Sequence, residues 1–119
     1  MKWNGIAPRL IRVNPMGIDI DILRGLCNNN AVNWTEHIAL RMLKRGITKR
    51  QVLAAVQNGE IFEQYPDDYP YPSCLLLGHD ADGMALHVVC GRAPDSVWMI
   101  TAYYPDPAEW EADLKTRRV

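Results

Sequence analysis

Residues 35–59 constrain the fold most. Two helical periodicities stand back to back there, with a stop and a start signal between them. Thr35 is a natural N-cap. At about 100° per residue, Ile38, Ala39, Leu40, Met42 and Leu43 fall on one arc, and His37, Arg41, Lys44 and Arg45 on the opposite one. Gly46 supplies a C-terminal stop. Thr48-Lys49-Arg50-Gln51 then fits a capping box, in which Thr and Gln side chains satisfy each other's orphan N–H groups. Val52, Leu53 and Val56 form the next apolar stripe, and Asn58-Gly59 ends it. With so short a link, the spacing predicts a tight helical hairpin, 35–45 and 48–58.

Four strand-like runs follow, at 60–65, 73–79, 84–91 and 97–104. A proline-rich loop, 66–72, separates the first two. Asp80-Ala81-Asp82-Gly83 reads as a hairpin turn, with Gly83 supplying positive φ. Such short connections imply antiparallel neighbours. Pro105-Asp106-Pro107 closes the sheet, and a final helix at about 107–117 would turn Trp110 and Leu114 inward. Upstream, Ile18, Ile22, Leu23 and Leu26 predict a helix at about 17–27, with Asp19 and Asp21 favouring its N-terminus. Arg9-Leu10-Ile11-Arg12-Val13 predicts a short strand, ended by Asn14-Pro15. The expected order is helix, helical hairpin, four-stranded antiparallel meander, C-terminal helix. That is an α+β fold of one domain, 1–119, with the helices on one face of the sheet.

Cys27, Cys74 and Cys90 are odd in number and widely spaced, which argues for reduced, buried thiols over a disulfide framework. No window reaches the roughly 18 apolar residues of a membrane span, and the N-terminus lacks a signal-like apolar region. A cytoplasmic chain with no membrane partner is expected. The net charge of −1 is unlike that of a dedicated nucleic-acid binder. The basic charge is local: Arg41, Lys44, Arg45, Lys49 and Arg50 fall together.

Two constellations carry chemistry. His37 and Arg41 lie one helical turn apart, about 6 Å, so an imidazole that titrates sits beside a fixed guanidinium. Lys44 and Arg45 extend that stripe and would steer a phosphate backbone. The same four residues equally describe a solvated helix face. On the sheet, alternation groups Trp98, Ile100 and Ala102 on one face and Val97, Met99, Thr101 and Tyr103 on the other. Pairing would bring His87, Thr101 and Tyr103 to one face, where Tyr65 would join them. His87 reads either as an imidazole flanked by hydroxyls or as a satisfied, half-buried histidine. No metal-ligand spacing is present: His79-Asp80-Ala81-Asp82-Gly83 lacks the terminal Glu of a calcium loop. No cofactor motif is found either.

Taken in order, Thr35-Glu36-His37, Arg41-Met42, Arg45-Gly46-Ile47-Thr48, Asn58-Gly59-Glu60-Ile61, Tyr65-Pro66, Pro72-Ser73-Cys74-Leu75-Leu76-Leu77-Gly78, Leu86-His87-Val88-Val89 and Ile100-Thr101-Ala102-Tyr103-Tyr104-Pro105 resemble a small bacterial family, domain of unknown function 4258. The resemblance covers about 35–110 and leaves 1–34 as an N-terminal extension. It implies a RelE/barnase-like fold and a metal-independent ribonuclease of toxin type, with RNA as substrate and an antitoxin-like protein as partner. It implies catalytic roles for His37, Arg41, His87 and Thr101. Arg45, Lys44, Tyr65 and Tyr103 would contact the substrate. One histidine would deprotonate the ribose 2′-OH and the other would protonate the leaving 5′-oxygen, giving a 2′,3′-cyclic phosphate and a bell-shaped pH profile. Arg41 would stabilise charge on the phosphate. The alternative is a non-catalytic interaction module. Trp3, Trp34, Trp98 and Trp110 cannot all be central in so small a core, so one or more would mark a partner surface or a homodimer contact.

Overall fold

The computed structural model describes residues 17–119, so the strand expected at 9–13 lies outside them. Helix α1 spans Ile20–Asn28, strand β1 Val32–Trp34, α2 Glu36–Arg45 and α3 Lys49–Asn58. Strands β2 (Glu60–Tyr65), β3 (Ser73–His79), β4 (Ala85–Arg92) and β5 (Val97–Tyr103) follow. The α+β class and these helices and four strands agree with the sequence to within a few residues.

Local chemistry explains the agreement. Asp19 caps α1 by accepting from the Asp21 N–H at 2.8 Å. Thr35 caps α2 through the Ile38 N–H at 3.1 Å. Gly46 ends α2 with φ of +69°, a left-handed conformation that lets Ile47 N–H reach the Met42 carbonyl at 2.9 Å. Both arms of the capping box at Thr48 and Gln51 are made.

The sheet runs β1-β5-β4-β3-β2. The expected antiparallel meander is present in β2 to β5, but a fifth strand, β1, pairs parallel to β5 in the register Val32↔Val97 to Trp34↔Met99. Three residues are too few to show a period of two, so this strand left no sequence signal. The helices pack on one face. Ile38, Met42, Val52 and Val56 meet Cys74, Leu76, Leu86, Val88 and Met99 in the main core. Helix α3 lies so close to β3 that a Cβ on Gly78 would sit 2.0 Å from the Ala55 carbonyl oxygen.

The expected C-terminal helix is absent. Residues 105–119 form a turn-rich strap, with Trp110 and Arg117 in an isolated bridge. Asp106 accepts from Ala108 N–H at 2.9 Å, and Asp113 from Lys115 and Thr116 N–H, each at 3.0 Å. Leu114 takes φ of +60°. These side-chain-to-backbone bonds outcompete helix formation. Trp110 and Leu114 do turn inward, onto the sheet face opposite the helices, where they pack on Leu75, Val89 and Phe62.

The expected apolar arc of α2 is also narrower. Only Ile38 and Met42 are buried, while Ala39, Leu40 and Leu43 face solvent. A helix lying on one sheet buries about a third of its circumference, so the leucines at the far side of a wide arc stay outside.

Candidate active site

The strap-covered face of the sheet gathers the titratable groups. On β4, alternation sends Leu86 and Val88 to the helices and His87 to the other side. His87 pairs in register with Tyr103 of β5. A bulge between the Val89↔Thr101 and Cys90↔Met99 pairs inserts Ile100 and resets the alternation. Val97, Met99 and Ala102 therefore share the helix-side core, while Trp98, Ile100 and Tyr103 belong to the opposite side. The expected grouping of β5 residues is corrected by that extra residue.

His87 is fully buried. Its Nε2 lies 2.7 Å from the Leu114 carbonyl and its Nδ1 3.2 Å from the Tyr103 hydroxyl. A carbonyl only accepts, so Nε2 carries the proton and Nδ1 accepts from Tyr103. The ring of Trp110 meets the imidazole edge-on at 4.6 Å between centroids. Burial lowers the His87 pKa. The Leu114 bond works to raise it, Arg117 to lower it and Glu63 to raise it. Burial also raises the Tyr103 hydroxyl.

A second bulge, at Phe62, puts Phe62, Glu63 and Tyr65 on this same face. The Tyr65 hydroxyl donates a short bond to Glu63, and Arg117 grips both oxygens of that carboxylate, one at 2.9 Å. Arg117 also lies over the Trp110 ring, 4.8 Å from its centroid. Burial pulls the Glu63 pKa up, but bonds from Arg117 and Tyr65 outweigh it and hold the carboxyl below its usual range. Tyr65 is pushed up to about 12 by burial and by its bond to Glu63. Glu63 and Arg117 were not anticipated. A bulge is invisible to a period-two reading, and Arg117 looks like any charge near a chain end.

Arg45 and Thr101 meet at the edge of β5. Strand β1 stops opposite Met99, and beyond that point Arg45 donates to the Ala102 carbonyl at 2.8 Å and to Thr101 Oγ1 at 3.3 Å. Its charge is the weakest of several influences on Tyr103, whose pKa burial raises overall while Arg117 and, last, Arg45 work to lower it. His37, Arg41 and Lys44 stand apart from this group. They are exposed on α2, in the layer across the sheet from His87, and touch no partner among the described residues. The two histidines therefore do not face each other.

The model of a family described as domain of unknown function (DUF4258) matches residues 34–104, more than half of the chain. The chain belongs to this family. No curated protein and no solved structure matches it. The DUF4258 match ends at the close of β5, so it contains Glu63, Tyr65, His87, Thr101 and Tyr103 but not the strap that covers them.

On that DUF4258 scaffold, the chemistry within reach is proton transfer. A half-exposed phenol donates to a neutral imidazole, and an ionised carboxylate and two guanidinium groups lie near. Among the described residues, no group of three or more His, Cys, Asp or Glu is placed to hold a metal ion. Cys74 and Cys90 are buried in the core, and burial pushes Cys74 up to about 12 and the half-buried Cys27 up to about 11, which leaves them poor nucleophiles at neutral pH. No helix of the described residues is long and apolar enough to cross a membrane.

Proposed function

We propose that this protein is a metal-independent endoribonuclease with a RelE/barnase-like fold, acting on RNA in the cytoplasm. The observation that carries the reading is the bond from the Tyr103 hydroxyl to Nδ1 of the buried, neutral His87. The ribose 2′-OH gives its proton to Tyr103 Oη while Tyr103 passes its own to His87 Nδ1. The O2′–P bond forms, the P–O5′ bond breaks, and water protonates the leaving 5′-oxygen. The product is a 2′,3′-cyclic phosphate. Burial and the Arg117 charge oppose the imidazolium, while its Nε2–H bond to the Leu114 carbonyl and, more weakly, the Glu63 carboxylate favour it. Arg45 and Arg117 stabilise the charge that grows on the phosphate, and Thr101 positions it. His37, Arg41 and Lys44 are left out of the chemical step, because α2 holds them across the sheet. With one titrating base, the expected pH profile is a single rising limb, not a bell.

The test is cleavage of a labelled RNA in EDTA. Cyclic-phosphate product from the wild type, lost in Tyr103→Phe and kept in His37→Ala, supports the reading. Equal loss in His37→Ala restores the two-histidine mechanism. No cleavage by any form, on free or ribosome-bound RNA, ends the ribonuclease reading and leaves a binding module.

A further inference from the structure

The outward face of α2 has no role in the chemistry proposed above, and its composition is unusual. Leu40 is 55% and Leu43 77% exposed. They lie three residues apart, so their side chains adjoin on one ridge. Arg41 and Lys44, also three apart, form a parallel ridge on one flank, with His37 a turn before Arg41. Elsewhere in the described residues most cations are engaged: Arg24, Arg45 and Arg92 donate to backbone carbonyls, Lys115, Arg117 and Arg118 to carboxylates, and Lys49 lies over the Trp34 ring, so that Arg50 at the start of α3 is the other cation left without such a contact. Arg41 and Lys44 touch no such partner. Unspent charge and exposed leucine thus coincide on one helix face.

We propose that α2 docks an acidic amphipathic helix of a second protein. Leucine-type side chains of the partner cover Leu40 and Leu43, and its carboxylates meet Arg41 and Lys44. RNA fits this face less well. Two leucines gain nothing from a phosphate backbone, α2 carries no Trp, Tyr or Phe to offer a broad stacking platform, and Glu36 on the same face repels phosphate. An antiparallel second copy of the chain fits poorly too. Antiparallel two-fold pairing about the leucines would bring the Arg41 and Lys44 ridges of both copies to one seam, with Glu36 as the lone opposing charge that α2 supplies, and a parallel pair is read by the sedimentation arm of the test.

The test uses the full chain and an unbiased library of 16-residue peptides, selected on the wild type and counter-selected on Leu43→Asp. Leu43 is exposed, so the folded core is untouched, and Arg41→Glu provides a second, independent variant. The expected winners carry leucine or isoleucine at helical spacing beside Asp and Glu. Their affinity falls roughly tenfold or more with Leu43→Asp and severalfold with Arg41→Glu. Replacing the peptide carboxylates by lysine should restore binding to an Arg41→Glu/Lys44→Glu double variant. The proposal is overturned by the absence of Leu43-dependent binders or by winners that are neutral or basic. It is equally overturned if a 16-nucleotide RNA takes the α2 face regardless of Leu43, or if sedimentation shows a dimer that Leu43→Asp dissolves.

Discussion

At the scale of residues, His87 carries both structure and proposed chemistry. Its folded pKa lies below its unfolded value of about 6.5. Between the two, the unfolded chain binds more protons. The contribution of neutral His87 to stability is therefore fully present above about pH 6.5 and is lost as pH falls through the lowered folded value. Urea unfolding followed from pH 8 to pH 5 should show this loss in the wild type and a smaller one in His87→Gln. Tyr103→Phe removes the hydroxyl that His87 holds. It should lower kcat about 10²-fold, with KM nearly unchanged, in single-turnover RNA cleavage. Of the site, His87, Tyr65, Thr101 and Tyr103 were legible because residue type and alternation mark them. Glu63 and Arg117 were not, because their roles exist only through each other, across 54 residues of chain.

At the scale of elements, the two faces of α2 separate packing from propensity. Met42 is 4% exposed in the main core and Leu43, its neighbour, 77%. Met42→Ala should cost about 2–5 kcal/mol and Leu43→Ser about 0.5 kcal/mol or less in urea unfolding. The sequence shows both as apolar on one arc, and only the sheet under α2 distinguishes them. The contact of α3 with β3 is stricter. An added methyl on Gly78 meets the Ala55 backbone, which cannot rotate away as a side chain would. Gly78→Ala should therefore lose about 3 kcal/mol or prevent folding, measured by the same unfolding curve or by soluble yield.

At the scale of the whole molecule, one sheet divides two environments. Helices cover one face, and the strap covers the other with Trp110, 4% exposed and packed against His87 and Phe62. Trp110→Ala should cost about 3–5 kcal/mol. It should also raise the His87 pKa toward its ordinary value, because water reaches the ring. An NMR titration of the imidazole in that variant measures the shift. The strap lies beyond the DUF4258 match, so the cover over this face is contributed from outside the shared domain.

Sequence alone determined what is local: the caps at Thr35 and Thr48, the stop at Gly46, the hairpin at Gly83 and the apolar strands that follow. Each depends on a few neighbouring residues whose bonds form within a turn or two. Tertiary structure decided the rest. The short strand β1 exists because β5 offers it an edge. The bulges at Phe62 and Ile100 choose which side chains share a face, since one inserted residue reverses every side chain after it. The end of the chain becomes a strap because Asp113 satisfies the local backbone and Trp110 finds a sheet face to cover.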